Sequence, residues 1–537
     1  MKPDLSLVDP LDYNLATRLA VGDMLTRVSW LFPDRLAIVD PDGSEISYRA
    51  FEVASEGVAR SLIAEGLERQ EPVALLLPNS WRFLASFFGC AKAGLIACPI
   101  NIQLDVETIA WILEDATVTT VIIDRALLPT LEKAFRNNRR LKLVIVVGDG
   151  PEPDVGDRRC VAFDSLLVDG PGVSIRIEDR DIVHCLYTSG TTSRPKGVLT
   201  SHVAVMVASL SNAIQVGHPR GEEYSVLPIV LPLFHTTALD TLALPVLATG
   251  GTVVLGASFA PDTLLDVVER YRATHLMLLP AMYQALLASE SIARRDLSSV
   301  RLCIYAMAPM PRDLIGRLAR AFPNSKILLG SGQTECVPAT VFQWPSNQYD
   351  KSDSWGPPAI TVDARIIDPD GAIAERDAVG EIVYRSPHTM SGYWNSAEAN
   401  RVAFEHGWFH SGDVGMVDRA GVIWFVDRLK DIVKSGGENV SSVEVERVLL
   451  GHPEVLECAV VGSPDPRWGE AVTAVVVVRE GTDLEDDSIE LELLNYCKEH
   501  LPRFAVPKRF IFETSLPKTA TGKIQKSEIR SRLREHG

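Results

Sequence analysis

The stretch Y-T-S-G-T-T-S-R-P-K-G-V, residues 187–198, carries the first indication of the fold. Small hydroxyl residues and one glycine follow the tyrosine, and a proline, a lysine and a glycine come after them. Hydroxyls and exposed backbone N–H groups can wrap an anion, and Lys196 adds a fixed positive charge. The common phosphate-binding loop G-x-x-x-x-G-K-[ST] is not matched, because Pro195 precedes the lysine and Gly197 follows it. The stretch therefore predicts an anion-binding loop, with an ordinary surface turn as the alternative.

The bulk composition is that of a large globular protein. The chain has 537 residues, 46% of them hydrophobic and 23% charged, which predicts about two to four domains with ample core material. Its net charge of −17 argues against a nucleic-acid-binding protein, because such proteins usually carry a basic surface. The eight cysteines contain no C-x-x-C pair, which predicts reduced thiols, a cytoplasmic location and no zinc site.

The apolar segments indicate no membrane anchor. The N-terminus lacks an apolar run, so we expect no secretory signal. The most apolar long segment, from Ala238 to Gly256, is interrupted by Asp240, Pro245 and a glycine pair, so we expect no transmembrane helix. Peripheral membrane contact stays open, as does the oligomeric state, for which a homodimer is one alternative.

Short apolar runs alternate with segments of helical period over the first two-thirds of the chain. Residues 72–77 predict a buried strand, and the residues after them repeat apolar side chains at helical spacing. Such alternation predicts an α/β fold, in which helices cover both faces of parallel sheets. After residue 355 the pattern becomes β-rich, and the segment from residue 427 onwards predicts a small separate α+β unit with a helix at 442–450.

Four further motifs follow the opening stretch along the chain. They are G-S-G-Q-T-E at 330–335, S-G-D at 411–413, D-R-L-K-D-I-V-K-S-G-G-E at 427–438 and P-K-T-A-T-G-K-I at 517–524. With these motifs in this order, the sequence resembles the acyl-adenylate-forming (AMP-binding) superfamily, and within it the fatty-acid and other acyl-CoA synthetases most closely. The resemblance extends upstream through P-N-S at 78–80 and covers nearly the whole chain.

The resemblance implies a two-step reaction. A carboxylate first displaces pyrophosphate from the α-phosphate of ATP to give an acyl-AMP, and the thiol of coenzyme A (CoA) then takes the acyl group. Enzymes lower the barrier to such a displacement mainly by positioning and electrostatics. The family rotates its small C-terminal domain between the steps. This implies an ATP- and acid-binding domain at 1–429, made of two parallel-sheet α/β subdomains and a β-rich subdomain, and a mobile α+β domain at 430–537 with its hinge at Lys430.

The implied nucleotide site combines phosphate, metal and ribose contacts. Glu335 would supply an oxygen ligand to Mg²⁺, Thr334 would hydrogen-bond the α-phosphate, and Lys523 would bridge the α-phosphate and the substrate carboxylate. Asp413 would accept hydrogen bonds from the ribose hydroxyls. Arg428 would add a second ribose or phosphate contact, with a structural surface pair between Asp427 and Arg428 as the alternative. The other positions matched to nucleotide contacts are Thr188, Ser189, Gly190, Thr191, Thr192, Lys196, Ser331, Gly332 and Gln333.

The implied CoA site lies in the last part of the chain. Gly436, Gly437 and Glu438, which follow Ser435, would form a glycine-rich face along which a narrow pantetheine arm passes close to backbone. Lys508 is a candidate for a contact with a CoA phosphate, and a solvent-facing strand lysine is an equally good interpretation of it.

The implied acid pocket includes the histidine of L-P-L-F-H and the segment 305–310. Members that activate amino acids usually carry an aspartate at this histidine, which therefore disfavours an α-amino acid because it offers no permanent negative charge. A methionine replaces a glycine of the second segment and narrows or redirects the acyl tunnel. We expect a hydrophobic acid, aliphatic rather than aryl by a small margin. The residues matched to this pocket are His235, Ala306, Met307, Ala308 and Gly330.

Three positions depart from the family pattern. Ser193 stands in place of a loop glycine, Ser331 replaces the aromatic residue that stacks on adenine, and Trp355 replaces a small residue. None of them removes a charge that the reaction needs. The packing of adenine stays open because serine offers no ring.

The leading hypothesis is an ATP-dependent acyl-CoA synthetase, an AMP-forming acid–thiol ligase. One alternative keeps the adenylation but passes the acyl group to a carrier-protein thiol or an amine, and another is an aryl-CoA ligase. A nucleotide-binding module without catalysis is disfavoured by the joint presence of Glu335, Asp413 and Lys523. The expected partners are therefore a small carboxylic acid, ATP with Mg²⁺, and CoA, with no nucleic acid.

Overall fold

The chain divides into two compact units. The computed structural model describes residues 8–151, 153–188, 194–306, 310–479, 486–518 and 524–535. The first unit comprises Met1–Asp363 and Arg385–Glu405, and the second comprises Ala364–Tyr384 and His406–Gly537. Both units combine helices with β-sheets, and the predicted α/β class is confirmed. The domain boundary between residues 429 and 430 stays a prediction.

The largest sheet of the first unit has eight strands and contains the strand expected at 72–77. Its central strands are parallel, because after each strand a crossover connection returns the chain to the end of the sheet where that strand began. Lys196–Ser201 instead pairs antiparallel with Ile182–Thr188, so the opening stretch connects two neighbouring strands. In spatial order the strands are Gly392–Tyr393, Lys196–Ser201, Ile182–Thr188, Ile96–Pro99, Pro72–Leu76, Thr120–Asp124, Leu143–Val147 and Arg159–Ala162.

Two four-stranded sheets complete the first unit. Each has parallel strands and one antiparallel strand at an edge, which in the second sheet is Cys336–Phe342. The 330–335 motif lies where this edge strand turns back from its neighbour. In spatial order the first sheet has Val226–Ile229, Thr252–Leu255, Leu36–Val39 and Glu45–Ser47, and the second has His275–Leu278, Leu302–Tyr305, Lys326–Gln333 and Cys336–Phe342.

The helices of the first unit begin at residues that cap them. Ser80 and Ser201 accept backbone N–H groups of the following first turn at 3.2 and 3.4 Å. Thr237–Ala243 is a π-helix, a form that often marks functional sites. The α-helices are Pro10–Thr17, Val21–Leu31, Tyr48–Ala64, Trp81–Lys92, Val106–Asp115, Leu128–Asn137, His202–Val216, Leu244–Thr249, Pro261–Arg270, Pro280–Ala288, Arg312–Ala321, Asn347–Asp350 and Ala397–Ala403, with 3₁₀ turns at Arg125–Leu127, Phe163–Leu166, Ile292–Arg294 and Glu405–Gly407.

The second unit has a four-stranded sheet and a five-stranded sheet. Buried aliphatic residues of the five-stranded sheet, such as Val460 and Val472, share a hydrophobic core with helix residues such as Leu493. The four-stranded sheet has Asp363–Ile367, Val379–Arg385, Phe409–Val417 and Ile423–Arg428, in that order. The five-stranded sheet has Glu438–Val440, Val433–Ser435, Gly469–Val478 and Val455–Asp465, with Arg509–Phe512 also beside Gly469–Val478, and the helices are Ser442–Leu450, Asp486–His500 and Lys526–Glu535.

Candidate active site

The two ends of the opening loop lie opposite each other. Thr188 ends one strand, Lys196 begins the next, and the two residues are direct cross-strand partners. Gly197 is required by packing, because a Cβ there would lie 2.8 Å from the Cys185 sulfur. The loop residues expected to bind phosphate, Ser189, Gly190, Thr191 and Thr192, lie outside the described residues, as does Ser193. The described structure therefore fixes the mouth of the loop and the position of its lysine.

Glu335 lies at the tip of a hairpin in the same unit. Thr334 and Glu335 form the two-residue turn between paired Gln333 and Cys336. The Tyr393 hydroxyl donates a hydrogen bond to Glu335 Oε1 at 3.0 Å. Burial, reinforced by the neighbouring carboxylate, raises the pKa of Tyr393 well above its usual range, so this hydroxyl stays protonated.

Tyr393 also contacts the loop lysine. The Lys196 ammonium lies 5.0 Å from the centre of the Tyr393 ring, within the range of a cation–π contact. The sequence alone identified Lys196 and Glu335 as candidate site residues but not Tyr393, which contacts both. The available signal was an aromatic pair, Tyr393-Trp394, enclosed by Gly392 and Asn395 in an otherwise polar segment.

The strand before Glu335 is pressed closely against its partner. A Cβ at Gly332 would lie 2.7 Å from the Pro338 side chain, and one at Gly330 would lie 3.2 Å from the Phe342 ring. Both glycines thus permit the close approach of the two strands. Ser331 is half-buried, and its carbonyl accepts a bond from the Thr340 hydroxyl at 3.4 Å. Its expected place beside adenine stays a prediction.

His235 lies at the start of the π-helix and is half-buried. Its Nδ1 accepts the backbone N–H of Thr237 at 3.2 Å, so the neutral ring carries its proton on Nε2. The segment before it is held by Asn79, which accepts from the N–H of Leu233 at 2.8 Å and donates to the carbonyl of Leu231 at 3.0 Å. The P-N-S motif therefore positions the strand end that presents the histidine.

The π-helix after His235 is anchored by a buried carboxylate. Asp240 is fully buried, accepts a bond from the Thr236 hydroxyl at 2.7 Å, and lies 3.1 Å from His184 Nε2. Burying an unpaired carboxylate is costly, so these partners explain how a charged residue can interrupt the apolar segment. The first turn after the predicted pocket histidine is thereby fixed to the central sheet.

The second predicted segment of the acid pocket is described only in part. Ala306 is buried at the end of strand Leu302–Tyr305, whereas Met307 and Ala308 lie outside the described residues. Trp355 packs against the hydrophobic core that includes Tyr283 and Tyr305, which accounts for the indole at this position. The acyl tunnel itself stays a prediction.

In the second unit, buried Asp413 pairs with Arg428, whose side chain is half-buried. They are cross-strand partners, and the Arg428 Nε lies 2.7 Å from Asp413 Oδ1. Asp413 is 3% exposed, and its N–H donates to the Ser411 hydroxyl at 3.0 Å. Sequence reasoning considered Asp427 as the partner of Arg428, but the arginine reaches across to Asp413. It orients the carboxylate that is expected to bind ribose.

The expected hinge residue, Lys430, is exposed between two anchored aspartates. Asp427 accepts the Ser442 hydroxyl at 2.8 Å, and burial raises the pKa of this carboxyl. Asp431 pairs with Arg530 at 2.7 Å. The chain is therefore tied to helices of the second unit on both sides of Lys430, and the hinge role of this lysine stays a prediction.

The glycine-rich face expected for CoA is a tight turn. Gly436 and Gly437 have φ values of 62° and 90°, which side chains rarely adopt, and Glu438 begins the returning strand. A Cβ at Gly436 would also lie 2.8 Å from the Trp468 ring, whereas one at Gly437 would meet nothing within 4 Å. The backbone conformation alone thus requires glycine here, and the pantetheine contact stays a prediction.

Of the two lysines expected near CoA and near the α-phosphate, only Lys508 lies among the described residues. The Lys508 ammonium donates to the Val506 carbonyl at 2.6 Å and to the Phe504 carbonyl at 3.3 Å. Burial and the nearby Arg503 lower the pKa of Lys508. The ammonium is thus satisfied within the chain, and its phosphate contact stays a prediction. Lys523 lies outside the described residues.

Several known proteins are similar to this chain over most of its length. A feruloyl-CoA synthase of Amycolatopsis sp is 35% identical over 91% of this chain and 94% of that protein. The long-chain-fatty-acid–CoA ligase FadD13 of Mycobacterium tuberculosis is 32% identical over 95% of this chain and 98% of that protein. The crystal structure of the anthranilate CoA ligase AuaEII in complex with anthranoyl-AMP matches with a TM-score of 0.86 and 28% identity, over 97% of this chain and 99% of that chain.

Two family profiles cover most of the sequence. The AMP-binding enzyme profile matches residues 27–394, and the profile of the AMP-binding enzyme C-terminal domain matches residues 444–523. The first match contains Lys196, Glu335 and Tyr393, and the second ends at Lys523. The chain therefore belongs to the AMP-binding enzymes, which confirms both the predicted acyl-adenylate-forming family and the predicted class of AMP-forming acid–thiol ligase.

Proposed function

We propose that this protein is an ATP-dependent CoA ligase that activates a hydrophobic carboxylic acid as its acyl-adenylate. The observation that carries the proposal is the convergence of Lys196 and Glu335 on Tyr393, with the cation near the ring and the carboxylate at the hydroxyl. Cations and metal-binding carboxylates are the groups that stabilise a reacting polyphosphate. Both residues adjoin segments rich in hydroxyl groups, which suit phosphate oxygens.

The donor set at Glu335 fits Mg²⁺. This ion takes one or two carboxylate oxygens and completes its shell with water and phosphate oxygens. Among the described residues, only the Tyr393 hydroxyl donates a hydrogen bond to the Glu335 carboxylate, and it does so at Oε1, so Oε2 would be the oxygen offered to a metal. Bound there, Mg²⁺ would supply charge stabilisation for the triphosphate. Lys196 would bind a phosphate oxygen, and Thr334 would hydrogen-bond the α-phosphate from the same turn.

The second unit would complete the site with ribose and thiol recognition. Asp413, oriented by Arg428, would accept hydrogen bonds from the ribose hydroxyls. Lys523 would stabilise the adenylation step alone. A rotation about Lys430 would then bring the turn at Gly436-Gly437 to the pantetheine arm. The match to the family's C-terminal domain supports this division of labour.

We propose that the acid carries an aromatic ring. Two of the three similar proteins described above are named for aromatic acids, feruloyl and anthranilate, and one for long-chain fatty acids. This balance moves the preference from the aliphatic acids favoured by sequence reasoning to aryl acids. His235 fits an acid without an ammonium group, because an imidazole offers no permanent negative charge. An α-amino acid stays disfavoured.

The test is a panel of acids with ATP, Mg²⁺ and CoA. Ferulate, anthranilate, palmitate and phenylalanine would each be assayed for AMP release and for thioester by mass spectrometry. We expect thioester from at least one aryl acid at a kcat/KM above that for palmitate, and none from phenylalanine. Higher kcat/KM for palmitate would restore the aliphatic alternative.

The acceptor is tested in the same assay. Acyl-AMP that forms and persists with CoA, but is consumed by an amine or by a carrier protein bearing pantetheine, would favour the alternative acceptors. Exchange of labelled pyrophosphate into ATP without CoA isolates the first step, and its absence for every acid would contradict adenylation itself.

The proposed setting is the cytoplasm. Across the described ranges, no helix combines the length and the apolar composition needed to cross a bilayer. We propose ATP, CoA and the acid as the partners.

A further inference from the structure

Residues 390–394 bond to both the strand that begins at Lys196 and the hairpin that carries Glu335. The N–H of Met390 donates to the carbonyl of Glu335 at 2.8 Å, and the N–H of Trp394 donates to the carbonyl of Gly197 at 2.7 Å. Between these bonds, Gly392–Tyr393 pairs with the strand that Lys196 begins. The segment is thus tied by its backbone to both elements that carry the predicted charges.

The Tyr393 side chain lies between those charges. Its hydroxyl reaches Glu335 Oε1 at 3.0 Å, while the Lys196 ammonium lies 5.0 Å from the centre of the ring. Within the described residues, Lys196 and Glu335 form no ion pair with each other, although both contact the side chain of Tyr393. A direct pair would neutralise the charges that a phosphate and a metal need.

We infer that Tyr393 is a positioning residue, which orients the Glu335 carboxylate for the nucleotide-bound metal and keeps the Lys196 ammonium from pairing with Glu335. The inference rests on the proposed function. Groups that hydrogen-bond a metal ligand fix its orientation, and their loss typically costs 10–100-fold in metal affinity or activity.

Tyr393→Phe isolates the hydroxyl. This variant keeps the ring near Lys196 and removes the donor to Glu335. The probe is Mn²⁺, followed by electron paramagnetic resonance, in the presence of an ATP analogue with a methylene group between its α- and β-phosphates, which cannot react. We expect about tenfold weaker Mn²⁺ binding in the ternary complex. Binding of the analogue without metal should stay within twofold of the wild type, since this measurement does not involve the carboxylate.

Tyr393→Leu isolates the ring. This variant frees Lys196 to approach Glu335, so we expect binding of the metal-free analogue to weaken about fivefold, which Tyr393→Phe does not show. Unchanged metal-free binding in Tyr393→Leu would overturn the role assigned to the ring. Tyr48→Phe is the matched control, because it also removes a tyrosine hydroxyl, which among the described residues bonds only the carbonyls of Leu247 and Gly251. It should leave both affinities unchanged.

A double-mutant cycle completes the test. If the hydroxyl acts through Glu335, Tyr393→Phe should add nothing to the loss of Mn²⁺ affinity already caused by Glu335→Gln. Additive losses would overturn the inference, and so would wild-type Mn²⁺ affinity in Tyr393→Phe. If the wild-type enzyme itself fails to bind the Mn²⁺–analogue complex, the proposed function is overturned. If the wild type binds and the variants match it, only the positioning role is lost.

Discussion

Asn212→Ala should loosen the strand that follows Glu335. The Asn212 side chain is 1% exposed, donates to the Pro338 carbonyl at 2.8 Å and accepts the Ala339 N–H at 3.2 Å. It thus bonds both ends of one peptide group. Alanine would leave the buried Ala339 N–H without an acceptor, and an unsatisfied buried donor costs about 2 kcal/mol. The Pro338 carbonyl would lose less, because the Thr241 hydroxyl still donates to it at 2.9 Å.

Thr241→Val is the matched comparison. It removes one of two donors to the Pro338 carbonyl and leaves no buried donor without an acceptor, so we expect it to lower the free energy of local opening by about 1 kcal/mol. Hydrogen exchange in peptides that cover residues 336–342 measures the free energy of local opening. The two costs correspond to exchange about 30-fold faster in Asn212→Ala and about fivefold faster in Thr241→Val. Equal rates, or the reverse order, would refute the assignment of Asn212 as the main anchor of this strand.

Three further predictions concern charged and titrating groups. Lys523→Ala should slow acyl-AMP formation by about 10²–10³-fold and leave thioester formation from prepared acyl-AMP near the wild-type rate, and equal loss in both steps would contradict a one-step role. Arg428→Gln removes the partner 2.7 Å from buried Asp413, so the KM for ATP should rise about tenfold with the KM for CoA unchanged. Acid should destabilise the first unit in urea titrations, because burial lowers the pKa of His202, His275 and His388 from 6.5 to about 4. The stability that depends on their neutral forms is complete above pH 6.5 and is lost as the pH falls towards 4. A free energy of unfolding that does not change over this range would contradict the prediction.

Local pattern was enough to predict many elements of the fold. The apolar run at 72–77 predicted a strand, and every residue of Pro72–Leu76 is buried because helices and neighbouring strands enclose it. The helix expected at 442–450 is Ser442–Leu450, and the Ser441 hydroxyl caps it by accepting the Glu444 N–H at 3.1 Å. Periodicity and capping depend on residues a few positions apart, which a single sequence displays directly.

The contacts that assemble the candidate site could not be found in this way. Tyr393 and Glu335 are 58 residues apart in the chain, and Asn212 and Pro338 are 126 residues apart. Neither pair belongs to a motif with fixed spacing, so only the folded sheets bring them together. The motifs predicted which charges the chemistry needs, whereas the residues that hold those charges in place required the three-dimensional structure.

A motif residue can also have two sufficient explanations, and Gly437 is an example. Sequence reasoning assigned this glycine to the pantetheine path, but its φ of 90° requires glycine whatever passes beside it. Any side chain at Gly437 would strain the turn even though nothing lies within 4 Å of its Cβ position. Substitution there would therefore impair the second half-reaction under either explanation. The half-reactions of Lys523→Ala separate the two steps without disturbing this turn, which makes that variant the better probe of the two-conformation mechanism.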